Sequence, residues 1–197
     1  MKNKEKAFFQ QSVWYHGTTL LEWKSICDLG IIADHNLGIS VDFGCGFYLS
    51  PNKTDTEKYA LDTVKYNHGI KPEDKVPVVI EFHYVPYDDI INTDKYKYFS
   101  HFDDEFADFV FKCRKGYLQI NHDYEITGGV MTDTVPTKIM QEYFAGLRDE
   151  NSVKEEFKRN TSRKQLCLHS QYLCDKLLPV KVYIVNGKEL DVNEYRK

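Results

Sequence analysis

The chain has 197 residues, 42% of them hydrophobic and 14% aromatic, with a formal net charge of −4. That length and apolar content fit one globular domain with a true core and exclude a disordered or fibrous chain. The acidic balance gives no general attraction to nucleic acid or anionic lipid; Lys112, Arg114, Lys115, Lys158, Arg159, Arg163 and Lys164 can form a local basic patch, but read more simply as a solvated face.

Five cysteines without framework spacing read as reduced thiols. The N-terminal Lys-rich hexapeptide leads to only a short apolar patch, so no signal peptide is expected. No apolar run approaches the ~18 residues that span a membrane. The expectation is a cytoplasmic protein without membrane contact. The histidines at 16, 35, 68, 83, 101, 122 and 169 show no metal-ligand spacing, and no metal is expected.

One domain, residues 1–197, is expected, with 1–11 as an N-terminal arm and 180–197 as a C-terminal strand or hairpin. Ser12 to Thr19 reads as a strand halted at Gly17. Thr19 caps a helix to Leu29, which Gly30 ends. Residues 31–41 read as a loop. Asp42-Phe43-Gly44-Cys45-Gly46-Phe47-Tyr48-Leu49 is a glycine bend feeding a buried strand, braced by Asp42. Thr54, with Glu57 three residues on, then caps a helix to about Asn67. Tyr48 and Tyr59, eleven residues apart, can face one flat ligand across such a junction, with stacking of roughly 1 kcal/mol per ring. The plainer reading is two core tyrosines.

Val76 to Tyr84 is a buried strand, and residues 94–115, with aromatics at helical spacing, are one or two amphipathic helices. A strand enters the Gly128-Gly129 pair, a helix runs from Asp133 to Phe144, and a polar surface helix from Ser152 to Lys158. Gln165 to His169 is a short strand, and Ser170 caps a helix to Leu178. Val180 to Val185 pairs with an edge strand from Lys188 across a type I′ turn at Asn186-Gly187. The expected fold class is α+β, with five to seven short strands in two small mixed sheets that meet at a cleft, interrupted by helical inserts. The chain carries neither a GxGxxG fingerprint nor a P-loop.

Three patches carry a resemblance: Trp14-Tyr15-His16-Gly17-Thr18, the glycine bend through Leu49, and Gln165-Leu166-Cys167-Leu168-His169. In this order they resemble the ADP-ribosyltransferase superfamily, in the His-Tyr-acid branch shared by diphtheria toxin and the poly(ADP-ribose) polymerases. More closely, the chain looks like a bacterial family of unknown function placed in that superfamily and met beside toxin–antitoxin genes. Phe106-Ala107-Asp108-Phe109-Val110, Cys113-Arg114, Tyr124-Glu125-Ile126-Thr127-Gly128-Gly129 and Asp133 extend the match over roughly residues 13–178.

The resemblance implies an ADP-ribosyltransferase-like fold and NAD⁺ as substrate. His16 would hold an adenosine-side ribose hydroxyl and the Gly17 backbone the nicotinamide amide. Tyr48 and Tyr59 would sandwich the nicotinamide, Thr56 would bond its carboxamide, and Thr18 and Gly46 complete the binding set. His16, Tyr48 and Gln165 are the implied catalytic residues. Gln165 departs from the family, which places a glutamate there; an amide orients a ribose but supplies no charge to a developing cation. The implied function is mono-ADP-ribosylation of a macromolecule, a protein before a nucleic acid, by a bacterial toxin that an antitoxin protein neutralises. An NAD glycohydrolase and a non-catalytic NAD or ADP-ribose module are the alternatives. Read without the family, His16 is equally a satisfied core histidine, Gln165 an edge polar residue, Asp133 a helix cap, and His169 and Cys167 packing or capping groups.

Overall fold

The computed structural model describes residues 1–66, 69, 71–91, 93–132, 135–159 and 161–193. In chain order they form α1 (Asn3–Phe9), β1 (Val13–Thr19), α2 (Leu20–Leu29), β2 (Phe47–Leu49), α3 (Lys53–Tyr66), β3 (Pro77–His83), α4 (Tyr87–Ile90) and β4 (Tyr96–Phe99). Then follow α5 (Asp104–Lys115), β5 (Ile126–Val130), α6 (Pro136–Phe144), α7 (Glu150–Phe157), β6 (Lys164–Leu168), α8 (Gln171–Cys174), β7 (Pro179–Ile184) and β8 (Glu189–Leu190). The α+β class is as expected. The strands make two four-stranded sheets, ordered β1-β3-β7-β8 and β2-β6-β5-β4, antiparallel except for the β4–β5 pair.

Strand alternation decides what each face buries. On β3, Val78, Ile80 and Phe82 join Trp14 of β1 in a core shared with Leu49, Ile126, Leu166 and Leu168 of the second sheet. The sheets therefore pack face to face. Val79, on the other side of β3, packs with Ala60 of α3 and Tyr183. The outer face of the second sheet, through Val130 and Cys167, packs on Phe106, Val110, Met140, Val153 and Phe157 of α5, α6 and α7.

Several elements differ from the sequence reading. Residues 96–99 are strand β4, not helix: Tyr96 and Tyr98 alternate onto Phe9, with ring centroids 5.7 and 5.6 Å away, so a period of two governs this segment. Asp103, accepting from Phe106 N–H at 3.0 Å, starts α5 only there. The cap of α3 is Asn52, whose Oδ1 accepts from Asp55 N–H at 3.1 Å, rather than Thr54. The α7 helix is no surface helix, since Val153 and Phe157 are fully buried. The β7–β8 turn is not type I′, which requires positive φ at both central residues; among 185–187 only Asn186 has it (φ 57°), in a turn closed by Gly187 N–H to Ile184 C=O. Asp133, the expected start of α6, lies outside the described residues.

The N-terminal arm contains α1, which drives Phe8 and Phe9 into the main core. Phe9 is fully buried, so Phe9→Ala is expected to cost about 3–5 kcal/mol in urea unfolding, where trimming a mere appendage would change stability by less than ~0.5 kcal/mol.

Candidate functional site

Strands β1 and β2 are facing edges of the two sheets, and backbone parity decides which groups look into the space between them. The bonds Tyr84 N–H to Ser12 C=O and Leu20 N–H to Val76 C=O extend the β1–β3 register at both ends and place the even-numbered residues on that ladder. The odd-numbered residues face β2. Tyr15 exchanges two backbone bonds with Ser50, of 2.9 and 2.8 Å. Gly17 points its N–H and C=O the same way, opposite Tyr48 in a continued register. There the pairing stops, and neither Gly17 group has a backbone partner among the described residues.

The interruption is the His16 ring. It stacks on Phe47, with centroids 4.4 Å apart, and its Nδ1 lies 2.8 Å from the Tyr48 carbonyl oxygen. A carbonyl only accepts, so Nδ1 carries the proton and Nε2 is left as an acceptor. Burial, assisted by nearby His35, holds this histidine below its ordinary value, so it is neutral near pH 7.

Behind Gly17 runs α3. A Cβ at position 17 would stand 2.6 Å from the Thr56 carbonyl oxygen, so only glycine permits this approach of helix to strand. Thr56 is buried, and its hydroxyl donates to Asn52 C=O at 2.8 Å, retaining lone pairs to accept. Tyr59 is 62% exposed on the same helix. No ring contact joins it to Tyr48 among the described residues. Tyr48 is a fixed post: its hydroxyl donates to Gly44 C=O at 2.8 Å and accepts from Phe43 N–H at 2.9 Å, and its ring stacks on Phe43. Burial raises that hydroxyl well above the ordinary tyrosine range, with Cys167 and Asp42 adding to the shift.

The bend before β2 is held group by group. His122 Nε2–H donates to Phe43 C=O at 2.9 Å, His169 Nδ1–H to Cys45 C=O at 2.6 Å, and Gly46 N–H to Asn36 Oδ1 at 2.8 Å. Thr127 hydroxyl donates to His169 Nε2 at 2.9 Å, which fixes the tautomer. Burial pushes His169 down to about 3 and also lowers His122. Gly46 has no room for a Cβ, which would meet Cys167 Sγ at 2.4 Å.

Asp42 braces the bend as expected, through a network the sequence concealed. Its buried carboxylate accepts from Arg114 Nε and Nη2 on Oδ1, at 2.8 and 2.6 Å, and from Thr132 N–H on Oδ2 at 3.0 Å. The Thr132 hydroxyl and Gln165 Nε2, the latter 3.1 Å from Oδ2, complete the set. Arg114 also donates to Ser40 C=O at 2.6 Å. Arg114, read as part of a solvated basic face, is therefore buried. Gln165 is buried on inner strand β6 and is no edge residue.

Of the expected site residues, the structure gathers His16, Gly17, Tyr48 and Thr56 at the parting of β1 and β2. Tyr48 and Gln165 share the outer face of the second sheet: Tyr48 pairs with Cys167, two residues from Gln165. The His16 ring sits on the opposite face, against Phe47 of the main core. Thr18 is buried, without a side-chain hydrogen bond among the described residues. Two surface depressions, of about 490 and 820 Å³, lie elsewhere, one beside Tyr84 and Lys176, the other between α1 and the ends of β5 and β6. Asn36, Arg114, His122 and Thr132 were not read as site residues; each acts at long range in sequence and carries no local motif.

Removing one partner of the buried ion pair leaves an uncompensated charge, so Arg114→Ala is expected to lose about 3–5 kcal/mol in denaturant unfolding. The two histidines of the bend, His122 and His169, add to an acid limit. Below the ordinary histidine value of 6.5 the unfolded chain takes up protons that the folded one refuses until about 3 at His169, so stability falls as pH drops through that window. A series of melting temperatures is expected to show a shallower acid decline for His169→Gln than for the wild type; an unchanged slope assigns the loss to other groups.

No curated protein and no solved structure matches the chain. Its residues 24–178 match the model of the family described as a protein of unknown function, DUF3990. That span takes in the bend, α3, the Asp42 network and β6, and the chain belongs to the DUF3990 family.

Proposed function

We propose that this protein is an NAD-dependent mono-ADP-ribosyltransferase, which cleaves the nicotinamide–ribose bond and transfers ADP-ribose to a macromolecular acceptor, by default a protein side chain. The observation that carries the reading is Gly17, whose N–H and C=O face the parting of β1 and β2 without strand partners. A primary carboxamide offers the complement, one carbonyl acceptor and one N–H donor, on a flat frame. Thr56 stands behind with lone pairs to receive the second amide hydrogen, and exposed Tyr59 offers a ring face. His16 Nε2, an acceptor, suits a ribose hydroxyl.

In the reaction the C1′–N bond breaks and nicotinamide leaves with the bonding pair as a neutral amide. Ribose C1′ passes through an oxocarbenium-like state, and the acceptor nucleophile bonds to it and loses its proton. The chain's own contribution is to hold the two ends of the substrate so that this carbon is presented to the acceptor. The transfer to one acceptor site, without chain elongation, follows from an amide at position 165.

The test is incubation with NAD⁺ labelled on the adenylate, alone and with cell lysate. Nicotinamide release with label on a macromolecule, lost in His16→Ala and Gln165→Ala, is the expected result. Free ADP-ribose with nothing labelled indicates a glycohydrolase, and no turnover defeats the proposal. Tyr59→Ala, a surface truncation, is expected to leave the melting temperature in place and to raise KM for NAD⁺ about fivefold, the loss of roughly 1 kcal/mol of stacking.

A further inference from the structure

Gln165 raises a question of chemistry: a neutral amide stands where the proposed reaction would be served by an acid. The contact at its nitrogen answers it. Gln165 Nε2 lies 3.1 Å from Asp42 Oδ2, and that carboxylate is 4% exposed. A carboxylate accepts and does not donate, so the amide nitrogen must face Asp42 and Oε1 must point away from it. No hydrogen bond engages Oε1 among the described residues. The amide is therefore held in one of its two flip states, with its acceptor end turned away from the carboxylate.

We propose that Asp42 is the positioning residue of this site, orienting Gln165 so that its Oε1 accepts a hydroxyl of the nicotinamide-side ribose. The inference rests on the ADP-ribosyltransferase reading above. Asp42 supplies direction rather than charge. Both Nε and Nη2 of Arg114 lie on its Oδ1, so the pair is close to neutral a few ångströms away. Thr132 fixes the carboxylate plane through its N–H and hydroxyl. The same contact explains why position 165 holds an amide. A glutamate there would set a second carboxylate about 3 Å from Asp42, and two such groups in a buried site cannot both ionise.

The test is a charge exchange between the two positions, read in nicotinamide release and in melting temperature. Gln165→Glu alone is expected to lose at least tenfold in kcat. Its folded state must retain a proton between the paired acids, so its melting temperature relative to wild type is expected to fall between about pH 5 and about pH 8. Asp42→Asn alone frees the Gln165 amide to flip and is expected to lower kcat more than it raises KM. In the double variant Asp42→Asn with Gln165→Glu, the new amide donates to the new carboxylate. It is expected to recover kcat at least tenfold over Asp42→Asn and to lose the extra pH dependence. A double variant no more active than Asp42→Asn, or a Gln165→Glu protein as stable at both pH values and as active as wild type, overturns the proposal. A wild type that releases no nicotinamide removes the activity itself and Asp42's part in it, an outcome distinct from an active enzyme in which the exchange fails.

Discussion

The buried carboxylate of Asp42 is the constraint from which the rest of this structure follows. An ionised acid at 4% exposure survives only if its lost water is replaced, and five donors do so: two nitrogens of Arg114, the backbone and hydroxyl of Thr132, and the amide of Gln165. Those donors come from the end of α5, the segment after β5 and the start of β6. One side chain thus ties three elements to the bend that opens β2. Arg114 sits in the last turn of α5, where a cation is favoured by the helix dipole, but it turns inward to the acid rather than out to water.

The bend itself is a frame rather than a cradle. A glycine-rich loop that binds phosphate keeps its N–H groups free and convergent. Here Phe43 N–H is taken by the Tyr48 hydroxyl, Gly44 N–H by Val41 C=O and Gly46 N–H by Asn36. The carbonyls of Phe43, Gly44 and Cys45 receive His122, Tyr48 and His169. Neutral histidines serve well inside an apolar wall, because each donates one hydrogen bond without bringing a charge that needs its own counterion. Gly46 lets this frame lie directly on Cys167 and Leu168. The frame thus lies directly on β6, and the β2–β6 pairing sets Tyr48 opposite Cys167 on the strand that carries Gln165.

What the sequence revealed and what it hid divide along the range of the interactions. Local signals were legible: Thr19 and Gly30 bound α2, Ser170 caps α8, and the β-branched run of β3 is the buried centre of its sheet. Gly17 and Gly46 were marked as a strand stop and a bend, and the structure shows both to be places of close approach. Segments whose character is set by distant partners were misread. Tyr96 and Tyr98 form a strand because Phe9 and β5 wait on their two sides, and a stripe of aromatics alone does not distinguish a period of two from one of 3.6 over four residues. Arg114 gives no local sign of burial, because its partner is 72 residues away. Four of the expected site residues come together at the parting of β1 and β2, yet the division of His16 and Gln165 between opposite faces of the second sheet was not foreseeable from motif order.

That division has a physical origin in β1 and β2. Two antiparallel edges joined at Tyr15 and Ser50 have every reason to continue pairing, which would close both sheets into one and satisfy Gly17 and Tyr48 against each other. The His16 ring prevents it by taking the Tyr48 carbonyl at 2.8 Å and occupying the space beside Phe47. The consequence falls on Gly17, whose buried N–H and C=O are left facing the opening. Backbone groups in that condition carry a desolvation cost of about 1–3 kcal/mol each, and a protein keeps them where something else supplies the partner. The helix behind them is brought so near that no side chain fits at position 17, so bare backbone stands at the parting. In the proposed reading, the partner these groups lack is the flat amide of the substrate.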